Sequence, residues 1–528
     1  MKGYDYISRC LLSRGIKYVF GYQGGAVTPL IDAMTRAGLK YVQCRHEQAS
    51  GFAADAYARL TGKCAVVVVT NGPGASNAVT AVANAYLDSV PVLFITGQVN
   101  TADLKRDGVR QNGFQEIDTV AMVKPITKYA ARVTDKTALR QELEKAFRLA
   151  ENGRKGAVLL DLPMNILFEE ITDAACTCAP RPEKETEITD KDAAKILSFL
   201  NAAKRPVIVA GGGIRSADAQ KELSDFARKT GLPVVRTLMG YDLYTQTDAG
   251  FSGNYGMPAA NRLIYESDLI LAIGTRFGKR QVGKKFTDYA PSAKVIRVDI
   301  DEAELTHVVQ PEFALRCDAK TFLKKMNGLR TTRRTTRPSV FKDSDKLPKP
   351  VGIVREISLL APENCVVTTD VGQNQMWVAQ GWQLKKKQRF LTSGGLGCMG
   401  FSLPAAFGAT FAGGKKKIFA FTGDGGLQMN LQELKTIADR GYPVKIIVFN
   451  NASLGMIREA QMKYHGGRFI GTKRGYSVPD LKKTAEAFGI KYVRFNSRFL
   501  KEILESNAPA LIEIPLKENV TRAFTRFD

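Results

Sequence analysis

Two short apolar runs, KKIFAFT (416–422) and VKIIVFN (444–450), enclose one helical stretch, and no other feature constrains the fold as tightly. Each run is bounded by turn residues and reads as a buried strand. Between them Asn430, followed three residues later by Glu433, forms an N-cap pattern. LQELKTIADR then carries helical apolar spacing, and Gly441 with Pro443 ends it. A β-α-β crossover makes the two strands parallel, so Asp424 in GDGG and Asn451 in FNN fall at the same carboxyl edge of one sheet. Ligands of open α/β sheets bind at that edge. An acid and an amide oxygen there, beside glycine backbone, suit a hard cation such as Mg²⁺ that also takes phosphate oxygens as ligands.

The same alternation of strands and helices recurs along all 528 residues, a length that implies several domains. It predicts an α/β protein with three doubly wound parallel-sheet domains. The first spans 1–170 and contains the strands KYVF, KYVQC, CAVVVVT, VPVLFITG and GAVLLDLP. The second spans 185–328, after the polar linker APRPEKETEITDKD, with RPVIVAGGG, LPVVRT, DLILAIGT and KVIRVDID. The third spans 349–528, after the basic, Thr-rich segment NGLRTTRRTTRPSVFKDSDKLPKP. The first and third resemble one another in size and style, without a sequence repeat.

A net charge of +24 favours anionic ligands. The short basic runs, Lys385 to Lys387, Lys415 to Lys417 and Arg330, Arg333, Arg334 and Arg337, lack interleaved aromatics. They read as solvated faces and a linker rather than a specific nucleic-acid surface. Eight cysteines are scattered, and the closest pair, Cys176 and Cys178, lacks zinc-site spacing, so no disulfide framework is expected. Three histidines, His46, His307 and His465, disfavour a histidine metal cluster or a serine-histidine hydrolase. Apolar runs such as AVVVV are too short to span a bilayer, and the N-terminus lacks a signal-peptide pattern. The expected location is cytoplasmic.

Several further segments occur in a telling order: FGYQGGAVTPLIDAM, CRHEQASGFAADAYARLTGK, TNGPGASNAVTAVANAYLDSVPVLFITGQV, TDVGQNQMW, SGGLGCMGFSLPAAFGA, and then GDG with NN. Together they resemble the thiamine-diphosphate-dependent enzymes of the acetolactate synthase catalytic-subunit type, over nearly the whole chain. The resemblance implies a pyrimidine-binding, a middle and a diphosphate-binding domain. It implies Asp424, the side chain of Asn451 and the backbone oxygen of Ser453 as Mg²⁺ ligands, within the turn Gly423, Gly425 and Gly426. Glu47 matches the catalytic glutamate, whose carboxyl favours the imino tautomer of the cofactor's aminopyrimidine; alone it would read as an ordinary helix-start acid. Met399 matches the residue that bends the cofactor, and the Gly397 carbonyl would accept from the aminopyrimidine. Asn77 and Gln98 match loops near pyrimidine and substrate, Gln373 lies near the diphosphate, and Gly24 and Gly25 face the cofactor.

In the middle domain the resemblance extends to the FAD-binding members through Gly211, Gly212, Gly213, Thr237, Leu238, Met239, Gly274, Arg276, Arg280, Asp299 and Asp318. The match is incomplete: RFGKR places Gly278 and Lys279 where the family carries acids, and GNYG places Tyr255 at a histidine. No redox role is expected of the flavin. Gln23 replaces a frequent proline and Asn374 a histidine, and Ala460 stands at the tryptophan of the anabolic synthases. The implied activity is decarboxylation of pyruvate or a close 2-oxo acid and ligation of the remaining acyl unit to a carbonyl acceptor. Acyl transfer to a keto-sugar nucleotide and simple decarboxylation are the alternatives. Arg280 matches an arginine that engages an acceptor carboxylate. The family's shared sites imply a homodimer or homotetramer, and the resemblance leaves room for a small regulatory subunit.

Overall fold

A computed structural model describes residues 1–106, 108–172, 187–330, 347–414 and 416–517. The pair Cys176 and Cys178, Lys415, Arg333, Arg334 and Arg337 lie outside these, as do most of both linkers. The described residues form three six-stranded sheets, each with parallel neighbours throughout. The first contains β1 (Tyr18–Gly21), β2 (Lys40–Gln43), β3 (Ala65–Val69), β4 (Val92–Gln98), β5 (Tyr129–Arg132) and β6 (Ala157–Pro163), in the order β2-β1-β3-β4-β6-β5. The second contains β7 (Pro206–Ala210), β8 (Val234–Arg236), β9 (Asp248–Phe251), β10 (Leu269–Ile273), β11 (Lys294–Asp299) and β12 (Phe313–Arg316), ordered β12-β11-β10-β7-β8-β9. The third contains β13 (Cys365–Thr369), β14 (Arg389–Thr392), β15 (Lys417–Gly423), β16 (Val444–Asn450), β17 (Lys491–Arg494) and β18 (Ala510–Pro515), ordered β14-β13-β15-β16-β18-β17. The first and third sheets therefore share one strand order, and the second has that of a doubly wound dinucleotide fold.

The central strands are buried on both faces because helices cover both sides of a parallel sheet. AVVVV of β3 and VLFITGQ of β4 are buried throughout. For the first two sheets the expected strand list omits β5, β9 and β12, which are edge strands, and in the third sheet it names only β15 and β16. β5 is half-buried at every position and β12 is exposed at two of its four, so neither shows the apolar run that marks an interior strand.

The three domains interlock. One continuous core joins the first and third, with Phe52 of the helix Glu47–Thr61 edge-on to Phe401 at 5.4 Å. That helix packs directly on Ser402–Ala409; a Cβ on Gly408 would stand 2.0 Å from the Ala53 carbonyl oxygen. At the same seam Arg59 is ion-paired with Asp55 and Asp88 and donates to the Thr392 carbonyl. Arg154 ties the first domain to Asp301 and Glu304 of the middle one. Tyr241 donates to the Trp382 carbonyl, and Arg389 to Asp242, between middle and third.

Cys44, Cys64, Cys317, Cys365 and Cys398 are free and buried, whereas Cys10 is disulfide-bonded. No helix among the described residues is long and apolar enough to cross a membrane.

Candidate active site

In the third sheet the strand order reverses between β13 and β15, and the turns leaving both strands meet there. β15 and β16 are adjacent and in register, with Gly423 opposite Phe449, so Asp424 and Asn451 emerge side by side. Asp424 is buried at the head of the short helix Asp424–Met429. Its Oδ1 accepts from the Gly425 N–H at 2.7 Å and the Tyr476 hydroxyl at 2.9 Å, and its Oδ2 from the Asn451 N–H at 3.1 Å. Burial raises its pKa, and these donors oppose the rise.

Asn451 Nδ2 reaches Gln373 Oε1 at 3.4 Å, and Gln373 Nε2 donates to Glu459 at 2.6 Å. The chain reverses at Ala452, a non-glycine residue with φ of 50°, and brings the Ser453 N–H to Asn451 Oδ1 at 3.3 Å. Asp424, Asn451, Ser453 and Gln373 thus form one cluster. Among the described residues no group of three His, Cys, Asp or Glu side chains could hold a metal. A cation here would draw on one carboxylate, neutral oxygens and non-protein ligands, the donor set of Mg²⁺ bound to a diphosphate. Beside the GDG turn, Asn374 Oδ1 is buried with no protein partner, and Asn374 Nδ2 lies 3.5 Å from where a Cβ on Gly423 would stand. A polar ligand at this turn would relieve that orphaned atom.

The loop carrying Gly397 and Met399 lies over this cluster. Ser393 Oγ accepts from the Gly397 and Cys398 N–H groups, and Gly397 is left-handed at φ of 78°. Met399 Cε comes 3.2 Å from a Cβ built on Gly425. Asp370, which the sequence reading passed over, joins loop and motif: it accepts from the Phe401 and Ser402 N–H groups at 2.7 and 3.2 Å and from the Thr422 hydroxyl at 2.6 Å. Burial lifts its pKa to about 6 against those donors. A Cβ on Gly426 would stand 2.4 Å from its Oδ2, which accounts for that glycine.

The expected N-cap at Asn430 is corrected. Helix begins at Asp424, breaks at Asn430, and resumes as Glu433–Arg440 without a side-chain cap. The two polar side chains serve the first domain instead. Asn430 Nδ2 donates to Gln48 Oε1 at 3.1 Å, and Glu433 accepts the Arg45 N–H at 2.7 Å, so they hold the residues on either side of His46-Glu47. Glu433 is fully buried, and desolvation raises its pKa to about 7.

Glu47 itself follows His46, whose Nδ1 caps the helix by accepting from the Gln48 N–H. Its Oε2 accepts from Asn77 Nδ2 at 3.0 Å, and its Oε1 is 3.3 Å from a Cβ on Gly74. Among the described residues Glu47 has no hydrogen bond to Asp424, Asn451 or Gln373. Gly24 packs on Thr70, and Gly25 is open. Gln98 is fully buried, donating to the Ile117 carbonyl and Asp161 and accepting from the Val99 N–H.

In the middle domain the strand order reverses between β7 and β10, where Gly211 and Gly213 meet Gly274 and Gly212 faces Met239. A Cβ on Gly211 would stand 1.9 Å from the Gly274 carbonyl oxygen, and one on Gly213 2.6 Å from its Cα. Close packing alone thus requires Gly211 and Gly213, while the crevice they border is the one that dinucleotides occupy in such sheets. Arg276 follows in the same turn. Thr237 Oγ1 accepts from Gly240, and Leu238 packs beside Tyr241. Asp299 accepts from the Asp301 N–H, and Asp318 caps the helix Ala319–Gly328. Arg280 donates to Gln375 at 2.9 Å, beside Thr392 of the third domain.

Family models match this architecture domain by domain. Residues 1–122 match the N-terminal TPP binding domain of thiamine pyrophosphate enzymes, 193–326 the central domain, and 370–514 the C-terminal TPP binding domain. The chain belongs to the thiamine pyrophosphate enzymes. Within them it is similar to the acetolactate synthase large subunit of Lactococcus lactis, at 36% identity covering 98% of this chain and 93% of that protein. The large subunit of acetolactate synthase isozyme 1 of Escherichia coli is 36% identical, covering 97% and 93%. A probable acetolactate synthase large subunit of Methanocaldococcus jannaschii is 37% identical, covering 97% and 92%.

Proposed function

We propose that this chain is the catalytic subunit of a carboligase of the acetolactate synthase kind. It removes CO₂ from pyruvate or a close 2-oxo acid and joins the acyl unit to a carbonyl acceptor. The observation that carries this reading is the Asp424, Asn451 and Gln373 cluster at the strand reversal of the third sheet. Bound thiamine diphosphate supplies the electron sink for decarboxylation. Asp424, Asn451 and the Ser453 backbone oxygen would hold Mg²⁺ against its diphosphate, within the turn Gly423, Gly425 and Gly426. Met399 and the Gly397 carbonyl would set the cofactor's bend. Glu47, oriented by Asn77, would hold the proton hydrogen-bonded to the aminopyrimidine ring, with Gly24, Gly25 and Gln98 on the same side. We assign 1–170 to pyrimidine binding, 185–328 to the middle domain and 349–528 to diphosphate binding.

A homodimer or homotetramer in which a second copy completes each site belongs to this proposal, as the family resemblance implies. The relatives are called large subunits, which leaves room for a smaller regulatory partner here. FAD belongs to this proposal as an occupant of the β7–β10 crevice, held by Gly211 to Gly213, Gly274, Arg276 and the acids Asp299 and Asp318, without a redox step.

A second reading, transfer to a larger acceptor such as a keto-sugar nucleotide, draws on Ala460. It stands in the helix Gly455–Tyr464, which has no buried residue, and Tyr464 is 68% exposed rather than folded into the space an indole would take. Incubating the protein with pyruvate, Mg²⁺ and thiamine diphosphate, with a panel of acceptors and NMR product identification, decides between them. Acetolactate from pyruvate alone supports the first reading. Turnover only with a keto-sugar nucleotide replaces it with the second, and absence of any pyruvate consumption refutes both.

A further inference from the structure

The loop that carries Gly397 and Met399 is fastened by residues of the first domain. Ser393, fully buried just past β14, stands at its root. Asn84, in the helix Pro73–Leu87, is fully buried against it. Asp88 ends that helix and accepts the Gly394 and Gly395 N–H groups at 3.0 and 2.7 Å.

The hydrogen bonds at Ser393 run in one consistent direction. Asp55, ion-paired with Arg59, accepts from Asn84 Nδ2 at 3.2 Å. A carboxylate in an ion pair is an acceptor, so the Asn84 amide turns its nitrogen to Asp55 and its oxygen to Ser393. The Ser393 hydroxyl therefore donates its single hydrogen to Asn84 Oδ1, at 2.6 Å. Its oxygen is left to accept from the Gly397 N–H at 3.1 Å and the Cys398 N–H at 2.9 Å. The Cys398 thiol packs on the same pair, 3.8 Å from Asn84 Oδ1.

The Cys398 N–H and the Gly397 C=O belong to one peptide unit, which is planar and trans, so the two bonds point in opposite directions. Holding that N–H on Ser393 turns the Gly397 carbonyl away from the first-domain side chains. The left-handed backbone of Gly397, at φ of 78°, lets two successive N–H groups converge on one oxygen. Among the described residues nothing donates to the Gly397 carbonyl itself.

We propose that Ser393, its hydroxyl oriented by Asn84 and Asp55, is a positioning residue that aims the Gly397 carbonyl at the amino group of the cofactor's aminopyrimidine. The inference rests on the reading of Gly397 as the acceptor for that ring. It assigns the aim of a third-domain carbonyl to a relay of side chains that begins in the first domain.

The test uses the full chain with Mg²⁺ and reads, by equilibrium dialysis, binding of thiamine diphosphate and of its desamino analogue, in which hydrogen replaces the amino group. The quantity compared is the ratio of the two dissociation constants, from which a general weakening of the site cancels. The wild type should prefer the amino compound, and Ser393→Ala should reduce that preference about fivefold, the scale of one neutral hydrogen bond. Ser393→Cys keeps a small side chain with a much weaker acceptor and should show the same loss, so the comparison stands if the alanine variant does not fold. A preference unchanged in the folded variants, within the error of the titration, overturns the role of Ser393 while leaving the reading of Gly397 intact. Equal affinity of the wild type for both compounds overturns the reading of Gly397, and this inference with it.

Discussion

Replacing Glu433 by glutamine removes a carboxyl that the fold holds in the wrong charge state above neutrality. The side chain is fully buried between the helix Glu433–Arg440 and the Arg45 segment. It accepts the Arg45 N–H and the Thr436 hydroxyl, at 2.7 and 2.8 Å. Desolvation raises its pKa from 4.5 to about 7, opposed by those two donors and by the Arg45 charge. The folded state thus binds the proton more tightly than the unfolded chain. The stabilisation from this group is complete below pH 4.5 and is lost as pH rises through about 7. At ~1.4 kcal/mol per tenfold change in proton affinity, the loss reaches about 3 kcal/mol. Glutamine has a similar shape and can still accept from Arg45, so Glu433→Gln should match the wild type near pH 4.5 and exceed it above pH 7. A chain of several domains does not unfold in two states, so the appropriate measure is the midpoint of thermal unfolding across pH. At roughly 2–4 °C per kcal/mol for a unit of this size, the midpoints should separate by about 6–12 °C between pH 5 and pH 8.5. A gap that does not change with pH, or a glutamine variant that is the less stable at pH 8.5, would refute the argument.

Glu47→Gln should retain thiamine diphosphate and lose about 10²–10⁴-fold in rate, seen by comparing cofactor binding with steady-state turnover; full activity removes the proposed proton role. Asp424→Ala should abolish Mg²⁺-dependent cofactor retention in dialysis, and undiminished retention would make Asp424 a turn residue only. Arg59→Met strands Asp55 and Asp88 at the seam between first and third domains, and should destabilise by about 3–5 kcal/mol; an unchanged unfolding midpoint contradicts this. Protein saturated with FAD should show a bound-flavin spectrum and stay active after chemical reduction of the flavin, whereas lost activity on reduction would assign the flavin a redox step.

Much of the architecture was readable because interior parallel strands declare themselves. AVVVV, VLFITG and KIIVFN are buried on both faces, so nearly every position must be apolar, and the alternation with helices then implies parallel sheets. The adjacency of Asp424 and Asn451 follows from one crossover and short turns, which leave few ways to arrange them. Edge strands such as β5 and β12 escaped because solvent reaches one side of them and permits polar residues.

The sequence by itself determined the domain style and the sheet edge that carries the motif, because these depend on local periodicity and on residues a few positions apart. Only the tertiary structure decided that Asn430 and Glu433 leave their own helix to grip the flanks of Glu47. The same holds for Asp370, which ties the Met399 loop to the GDG strand, and for Tyr476, which donates to an acid 52 residues earlier. Each of these side chains has a bland local reading, as a cap, a strand-end acid or a surface tyrosine. What selects another partner is the cost of burying a donor or acceptor unpaired, and that cost arises only once distant segments have excluded water from it.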